Sequence, residues 1–311
     1  MKLLVIILTF NKKNILYEHL MKLKKQDCTF DILIFDNAST DGTFKFIEHL
    51  LNDNILYKRI DTNEGFANGF YTSLKYGYEL SKYDYFLLCD DDGMPLNDQS
   101  LSSLVAAAER KKNNLFILSP LVIYSDSSEP CLTKSDSEVF LNRYIMSKKK
   151  MINHDFYNNV IMRSKEGIIP GSAFFVGTLI PKQVIEEIGY PMRELKYHGV
   201  EVEYMLRAIH SNVNVYTTIG SIYTHPKGVW KEIKVFNKNY CVRDFDAKKI
   251  YYTIRSQAFI SMRYYGITKC VTLIIKSFCK IPLYSDKKIN LLKSTFRGLR
   301  DGFKENFNPN I

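Results

Sequence analysis

The sequence predicts an α/β fold: a mostly parallel, Rossmann-like sheet with helices on both faces, followed by a basic, helical C-terminal region. Three observations carry this reading. Short apolar runs alternate with longer amphipathic stretches over the first 125 residues. Polar and acidic residues follow directly on each run. The charge of the 311-residue chain is also unevenly placed. Residues 231–311 hold 17 Lys/Arg against 6 Asp/Glu, so the whole-chain charge of +10 leaves −1 for residues 1–230.

Taken in order, Leu3 to Leu8 is a continuous apolar run with branched residues, the mark of a strand buried on both faces. Leu16, Leu20 and Leu23 then recur at helical spacing. Ile32 to Phe35 is a second buried strand, and Phe44, Ile47, Leu50 and Leu51 form a helix with a polar start. Ile55 to Ile60 gives a third strand and Phe66 to Leu80 a helix. Tyr85 to Cys89 is a fourth strand, Leu101 to Arg110 a helix, and Leu115 to Leu118 a fifth strand. This βαβαβα order specifies parallel strands joined by crossover helices. Residues 126–165 are polar and lysine-rich and read as a long excursion or lid. Val184 to Ile188 and Glu201 to His210 read as helices, Val213 to Tyr223 as a strand, and the chain beyond 230 as helical. The domains expected are 1–230, divided into a nucleotide-binding half (1–125) and an acceptor half (126–230), and a basic region 231–311.

Composition removes several classes. Apolar residues make up 46% and charged residues 24%, which excludes a disordered chain. There is no run of 18 apolar residues to form a simple transmembrane helix. Met1 to Phe10 resembles a signal h-region but is stopped early by Asn11, Lys12 and Lys13. The six cysteines show neither CxxC spacing nor a regular framework, which points to a reducing cytoplasm. Neither GxGxxG after the first strand nor GxxxxGK[ST] occurs.

Ligands of open α/β sheets sit beyond the carboxyl ends of the strands, and the informative residues fall there. Asp90-Asp91-Asp92 follows the fourth strand. Three adjacent carboxylates repel one another, and a hard divalent cation bridging Asp90 and Asp92 to phosphate would relieve this. Strand alternation puts Asp90 and Asp92 on one side and Asp91 on the other. On this view, removing one carboxylate leaves the metal-free fold as stable or more so. Asp36 follows the second strand too closely to be a helix cap and can accept a base N–H. Ser39, Thr40 and Asp41 serve the turn and cap. Gly65 and Gly69 suit either close approach to a diphosphate or tight packing.

These residues together resemble the family-2 inverting glycosyltransferases of GT-A fold. The likeness runs through Ile7 to Asn11, the Asp36 to Thr43 block, Asn63 to Ala67 and the Asp90 triad. It continues through Gly177, Ile188-Gly189, Glu201 to Ala208, and His225, covering residues 1–230. The resemblance implies that Thr9, Asn11, Asp36, Asn63 and Asp90 hold the donor nucleotide. It implies that Asp90, Asp92 and His225 bind Mn²⁺ or Mg²⁺, with histidine favouring manganese. Glu201 is the implied catalytic base, although the acidic pair usual there is broken by Val200, and Glu203 fills the later acidic position. On a helix these two glutamates point to different faces, so one alone can serve.

The implied reaction moves a hexose, with inversion, from a nucleoside-diphosphate sugar to a hydroxyl of a growing, lipid-linked cell-surface polysaccharide of capsule or O-antigen type. The galactofuranosyltransferase branch and UDP-galactofuranose fit best, with dTDP-rhamnose-dependent rhamnosyltransferases as the alternative. A sugar nucleotidyltransferase and a non-catalytic glycan-assembly subunit are the rival classes. In the tail, Ile267, Val271, Ile274, Phe278 and Ile281 fall on one helical face and Lys269, Lys276 and Lys280 on the other. This is the pattern of a helix lying peripherally on an anionic membrane surface, here the inner face of the cell membrane, or of one packed on its own domain. No nucleic-acid-binding pattern accompanies the charge. A homo-oligomer is left open.

Overall fold

A computed structural model describes residues 2–127, 167–172, 175–228, 231–235, 238–242, 246–280 and 288–307. The excursion expected over 126–165 lies outside the described residues from 128 onward. The chain divides into two compact units. Unit 1 comprises residues 1–64, 69–191 and 204–227, and unit 2 comprises 65–68, 192–203 and 228–311.

Unit 1 is built on a nine-stranded sheet in the order β3-β2-β1-β4-β8-β6-β9-β5, with β7 also on β9. The first four strands are β1 (Leu3–Thr9), β2 (Asp31–Asp36), β3 (Ile55–Arg59) and β4 (Tyr85–Asp90). All pair in parallel. Every residue of β1 is buried, as its unbroken apolar run requires of a strand covered on both faces. Helix α1 (Lys13–Leu23) turns Leu16, Leu20 and Leu23 inward. Two further helices, α2 (Thr43–Ile47) and α3 (Phe66–Glu79), complete the crossovers.

The rest of the sheet is mixed. The short β5 (Met94–Pro95) precedes α4 (Ser100–Glu109), which leads into β6 (Phe116–Tyr124), β7 (Ile168–Pro170) and β8 (Val176–Pro181). Then come α5 (Lys182–Ile188), α6 (Val200–His210) and β9 (Asn214–His225). β8 is antiparallel to both β4 and β6, and β9 is parallel to β6. Two reversals restore direction, so β9 ends on the same edge of the sheet as β4. That places His225 on the edge where Asp90 stands.

Unit 2 corrects the expectation of helix throughout its C-terminal part. β10 (Lys231–Val235) and β11 (Lys238–Val242) pair as an antiparallel hairpin. Among the described residues, three α-helices follow: α7 (Ala247–Ile260), α8 (Ile267–Lys280) and α9 (Lys288–Phe303). Asp246 caps α7 by accepting from the Lys249 amide. A Cβ on Gly298 would lie 2.8 Å from the Tyr251 carbonyl, and one on Gly302 would strike the Arg255 carbonyl. These two glycines therefore let α9 lie directly against the α7 backbone.

Candidate active site

Parallel register assembles the site of unit 1. Thr9 pairs with Asp36 across β1 and β2, and Leu8 with Asp90 across β1 and β4. The residues following these strands thus meet at one edge. His225 Nε2 lies 3.4 Å from Asp90 Oδ2 and 3.3 Å from Asp92 Oδ1. One ligand atom from each of Asp90, Asp92 and His225 falls within 4.8 Å of the others. Asp91 turns away, accepting from the Thr9 hydroxyl at 3.1 Å and the Phe10 amide at 3.3 Å. The alternation expected of the triad is therefore what forms.

Two further observations fit a divalent cation. Among the described residues, Asp90 Oδ1 is buried without a hydrogen-bond partner, a costly state for a carboxylate oxygen unless another group engages it. His225 Nδ1 lies 2.7 Å from the Pro226 carbonyl. Donation from Nδ1 leaves Nε2 to face the carboxylates, the arrangement seen in metal-ligating histidines. Two oxygens and an imidazole nitrogen suit manganese more than magnesium.

The electrostatics reflect crowding. Burial opposes the charged imidazole, but hydrogen bonds and charge from Asp90 and Asp92 outweigh it and raise His225 to about 11. Burial pushes Asp90 up, against the pull of His225. Burial also pushes Asp91 up to about 6. Asp92 is the exception: burial opposes its ionisation, but His225 and Lys12 hold it well below the usual carboxylate range.

Lys12 is a site residue that the sequence reading did not single out. Its ammonium lies 2.9 Å from Asp91 Oδ1 and 2.5 Å from Asp92 Oδ2. Burial opposes its charge, yet the two carboxylates raise its affinity for the proton. A lysine just past a strand has no distinguishing period; its place among the polar strand ends was the available signal. Tyr57 was missed in the same way. Its hydroxyl donates to Asp36 Oδ2 at 2.5 Å, while Asp36 Oδ1 accepts the Ser39 amide at 2.7 Å.

The remaining expected nucleotide residues knit the strand ends together. Asn11 has a positive φ of 54°. It accepts from the Thr40 amide at 2.7 Å, and its own amide donates to Ser39 Oγ at 2.9 Å. Asn63 accepts from Asn37 Nδ2 at 3.1 Å. Thr9 and Asp36 are each 1% exposed, so both hold the site's frame from within. The two glycines serve packing. A Cβ on Gly69 would lie 2.7 Å from Leu8, and one on Gly65 (φ 104°) would lie 2.9 Å from the Lys196 carbonyl.

Glu201 and Glu203 belong to unit 2, in the first turn of α6. Glu203 is buried, and its Oε1 accepts from the Tyr264 hydroxyl at 2.8 Å. Glu201 is half-buried. The two residues do take different faces of the helix, and the fold engages Glu203.

The same architecture occurs in solved proteins. S. aureus TarS residues 1–349 superimpose with a TM-score of 0.57 at 15% identity, covering 99% of this chain and 88% of that one. A complex of that protein with UDP-GlcNAc gives 0.58 at 16% identity, with the same coverage. The fold is thus that of the GT-A glycosyltransferases, with a helical C-terminal region.

The chain belongs to glycosyl transferase family 2, whose sequence profile matches residues 4–170, more than half its length. Galactofuranosyltransferase GlfT1 of Mycolicibacterium smegmatis is 25% identical over 224 residues, 72% of this chain and 70% of that protein. The Mycobacterium tuberculosis GlfT1 is 29% identical over 167 residues, covering 53% of this chain and 48% of that one. An uncharacterized glycosyltransferase of Bacillus subtilis, YfnE, is 31% identical over 116 residues, and the match spans 28% of its length.

Proposed function

We propose that this transferase is a metal-dependent, inverting hexosyltransferase. It takes a nucleoside-diphosphate sugar, with UDP-galactofuranose as the favoured donor, and glycosylates a hydroxyl of a growing, lipid-linked cell-surface polysaccharide at the inner face of the membrane. The observation that carries this reading is the convergence of Asp90, Asp92 and His225 at the carboxyl edge of the sheet. Galactofuranosyl transfer in the GlfT1 relatives supports the choice of sugar.

Asp90, Asp92 and His225 would hold Mn²⁺ or Mg²⁺. Such an ion, when bound, neutralises charge on the departing diphosphate. Thr9, Asn11, Asp36 and Asn63 shape the nucleotide end of the site. Glu201 takes the proton from the acceptor hydroxyl as its oxygen bonds to the anomeric carbon. The bond from that carbon to the diphosphate oxygen breaks, and nucleoside diphosphate leaves with the electron pair. Glu203, held by Tyr264, keeps the first turn of α6 in place.

The test is product release from UDP-galactofuranose with and without Mn²⁺, using wild type and Asp92→Asn. Metal-dependent release of UDP supports the proposal. Formation of UTP and sugar 1-phosphate, dependent on added pyrophosphate, would instead identify a nucleotidyltransferase. Release of neither, across a panel of nucleotide sugars, would identify a non-catalytic subunit.

A further inference from the structure

Among the described residues of unit 2, exposed large apolar side chains concentrate on two helices. On α8, Ile267 is 74% exposed, with Val271, Ile275 and Phe278 also exposed. On α9, Ile289 is 69% and Phe296 64% exposed, with Leu292 exposed beside them. The two helices touch each other.

Their rotation is fixed by what they bury. α8 turns Cys270 and Ser277 inward. α9 buries Leu291, Thr295 and Leu299, and the close approach at Gly298 and Gly302 locks that face onto α7. The outward apolar stripe is therefore a product of packing. At about 100° per residue, Ile289, Leu292 and Phe296 fall within an arc of about 60°. Lys293 and Arg300 border the same arc, both exposed. On α8 the lysines differ. Lys276 lies about 180° around from Ile267, and the Lys269 ammonium sits 5.4 Å from the Tyr265 ring centroid. The outward α8 stripe also uses Ile275, with Ile274 half-buried.

We propose that the exposed faces of α8 and α9 form one membrane-docking surface that seats in the headgroup region of an anionic bilayer, with α9 supplying the cations. An apolar stripe bordered by basic residues on the same side is what an interfacial helix requires. No helix among the described residues is long and apolar enough to cross a membrane. A second copy of the chain is the poorer occupant, because the +11 carried by residues 231–311 would face itself. This deepens the reading of a lipid-linked acceptor, and its functional meaning rests on that reading. The surface itself is tested without donor or acceptor.

The experiment is flotation of the full chain with phosphatidylcholine vesicles, with and without about one-third phosphatidylglycerol, the latter fraction making them anionic. The wild type should float with the anionic vesicles and much less with the neutral ones. Ile289→Ser/Leu292→Ser/Phe296→Ser, which alters exposed positions only, should lower partitioning about a hundredfold. Lys293→Glu should lower it about fivefold or more, and Lys276→Glu should change it little. Phe296→Trp gives a second readout, a blue shift of added fluorescence on vesicle addition, should the triple variant fold poorly.

The proposal is overturned if the wild type stays in the dense fraction, if the triple variant floats equally, or if Phe296→Trp shows no shift. It is also overturned if the triple variant turns a wild-type dimer into monomers on sizing, which would assign the face to a second copy. Transfer to a water-soluble acceptor, measured in parallel, should match wild type in the triple variant. Flotation without any transfer would sink the transferase reading and leave the surface standing; transfer without flotation would do the reverse.

Discussion

Asp92 is the residue on which the site's electrostatics turn, because it faces both His225 and Lys12. From sequence, removing a carboxylate from a repelling triad should leave stability unchanged or higher. The structure reverses that expectation, because Asp92 has two cationic partners. Asp92→Asn should therefore lower the melting temperature of metal-free protein and reduce turnover by about 10²- to 10³-fold. Calorimetry without metal and UDP release with Mn²⁺ check the two halves separately. Glu201→Gln should cost about 10²- to 10⁴-fold in kcat while donor affinity, read by titration calorimetry, stays put. Glu203→Gln should keep turnover and lose about 1 kcal/mol of stability through the weakened Tyr264 bond. The opposite pattern would transfer the base role to Glu203.

His19 offers a pH-dependent test at the same scale. It is fully buried on α1, neither ring nitrogen makes a well-formed hydrogen bond among the described residues, and burial pushes its value down from 6.5 to about 4. The folded value lies below the unfolded one, so the unfolded chain binds the extra proton first. Stability from a neutral His19 is complete above about pH 6.5 and declines toward pH 4, by about 3 kcal/mol at most. Asp91, raised by burial, works in the opposite sense over part of this range. The wild-type minus His19→Leu difference in urea-unfolding free energy isolates the histidine. A difference that stays flat from pH 7 to pH 4.5 would contradict the assignment.

Secondary elements differ in how far the sequence reveals them. β1, β2 and β4 were legible because continuous branched apolar runs have few other uses, and their ends named Asp36 and Asp90 directly. His225 was legible as a strand end, but its meeting with Asp90 depends on the two antiparallel reversals at β8, which no local pattern encodes. The β10–β11 hairpin was hidden by lysines that read as a solvated helix. For α8, periodicity gave an apolar face but not the face that packs, since Cys270 and Ser277 face inward without standing out in a wheel. Tyr57 reaches Asp36 through pairing of neighbouring strands, information that arises only with the sheet. On α9, Gly302→Ala should force the helix away from the Arg255 carbonyl. Overpacking of this kind costs about 1–3 kcal/mol, and thermal unfolding of the purified variant should show it. An unchanged melting temperature would mean that α7 and α9 separate freely.

At the scale of the molecule, the charge division seen in the sequence separates residues 1–230 from residues 231–311, whereas contacts draw the boundary elsewhere. Unit 2 takes residues 65–68 and 192–203 from earlier in the chain. Arg255 is wholly buried, its guanidinium donating to the carbonyls of Glu194 and Phe307. Ser256 donates to the Leu195 carbonyl at 3.4 Å. A chain ending at residue 230 should therefore keep the Asp90, Asp92 and His225 cluster yet lose transfer, because the segment carrying Glu201 lacks these partners. Mn²⁺ titration together with a turnover assay on the truncated protein would separate the two properties. Full turnover by that shortened chain would refute the dependence.

The same long-range bonds set a schedule for synthesis. Arg255 and Tyr264 each meet their partners, Glu194 and Glu203, across a separation of 61 residues. At about 5–20 residues per second, the ribosome takes roughly 3–12 s to add that stretch. During this interval the strands of the acidic edge, whose contacts are already complete through β4, can pair while the first turn of α6 waits for its anchors. The Asp90, Asp92 and His225 edge can thus form before the first turn of α6, which carries Glu201, gains its anchors. On the proposed assignment of Glu201 as base, competence for transfer waits for residues 255–264, so a chain stalled before they emerge would be folded over much of its length and still inert.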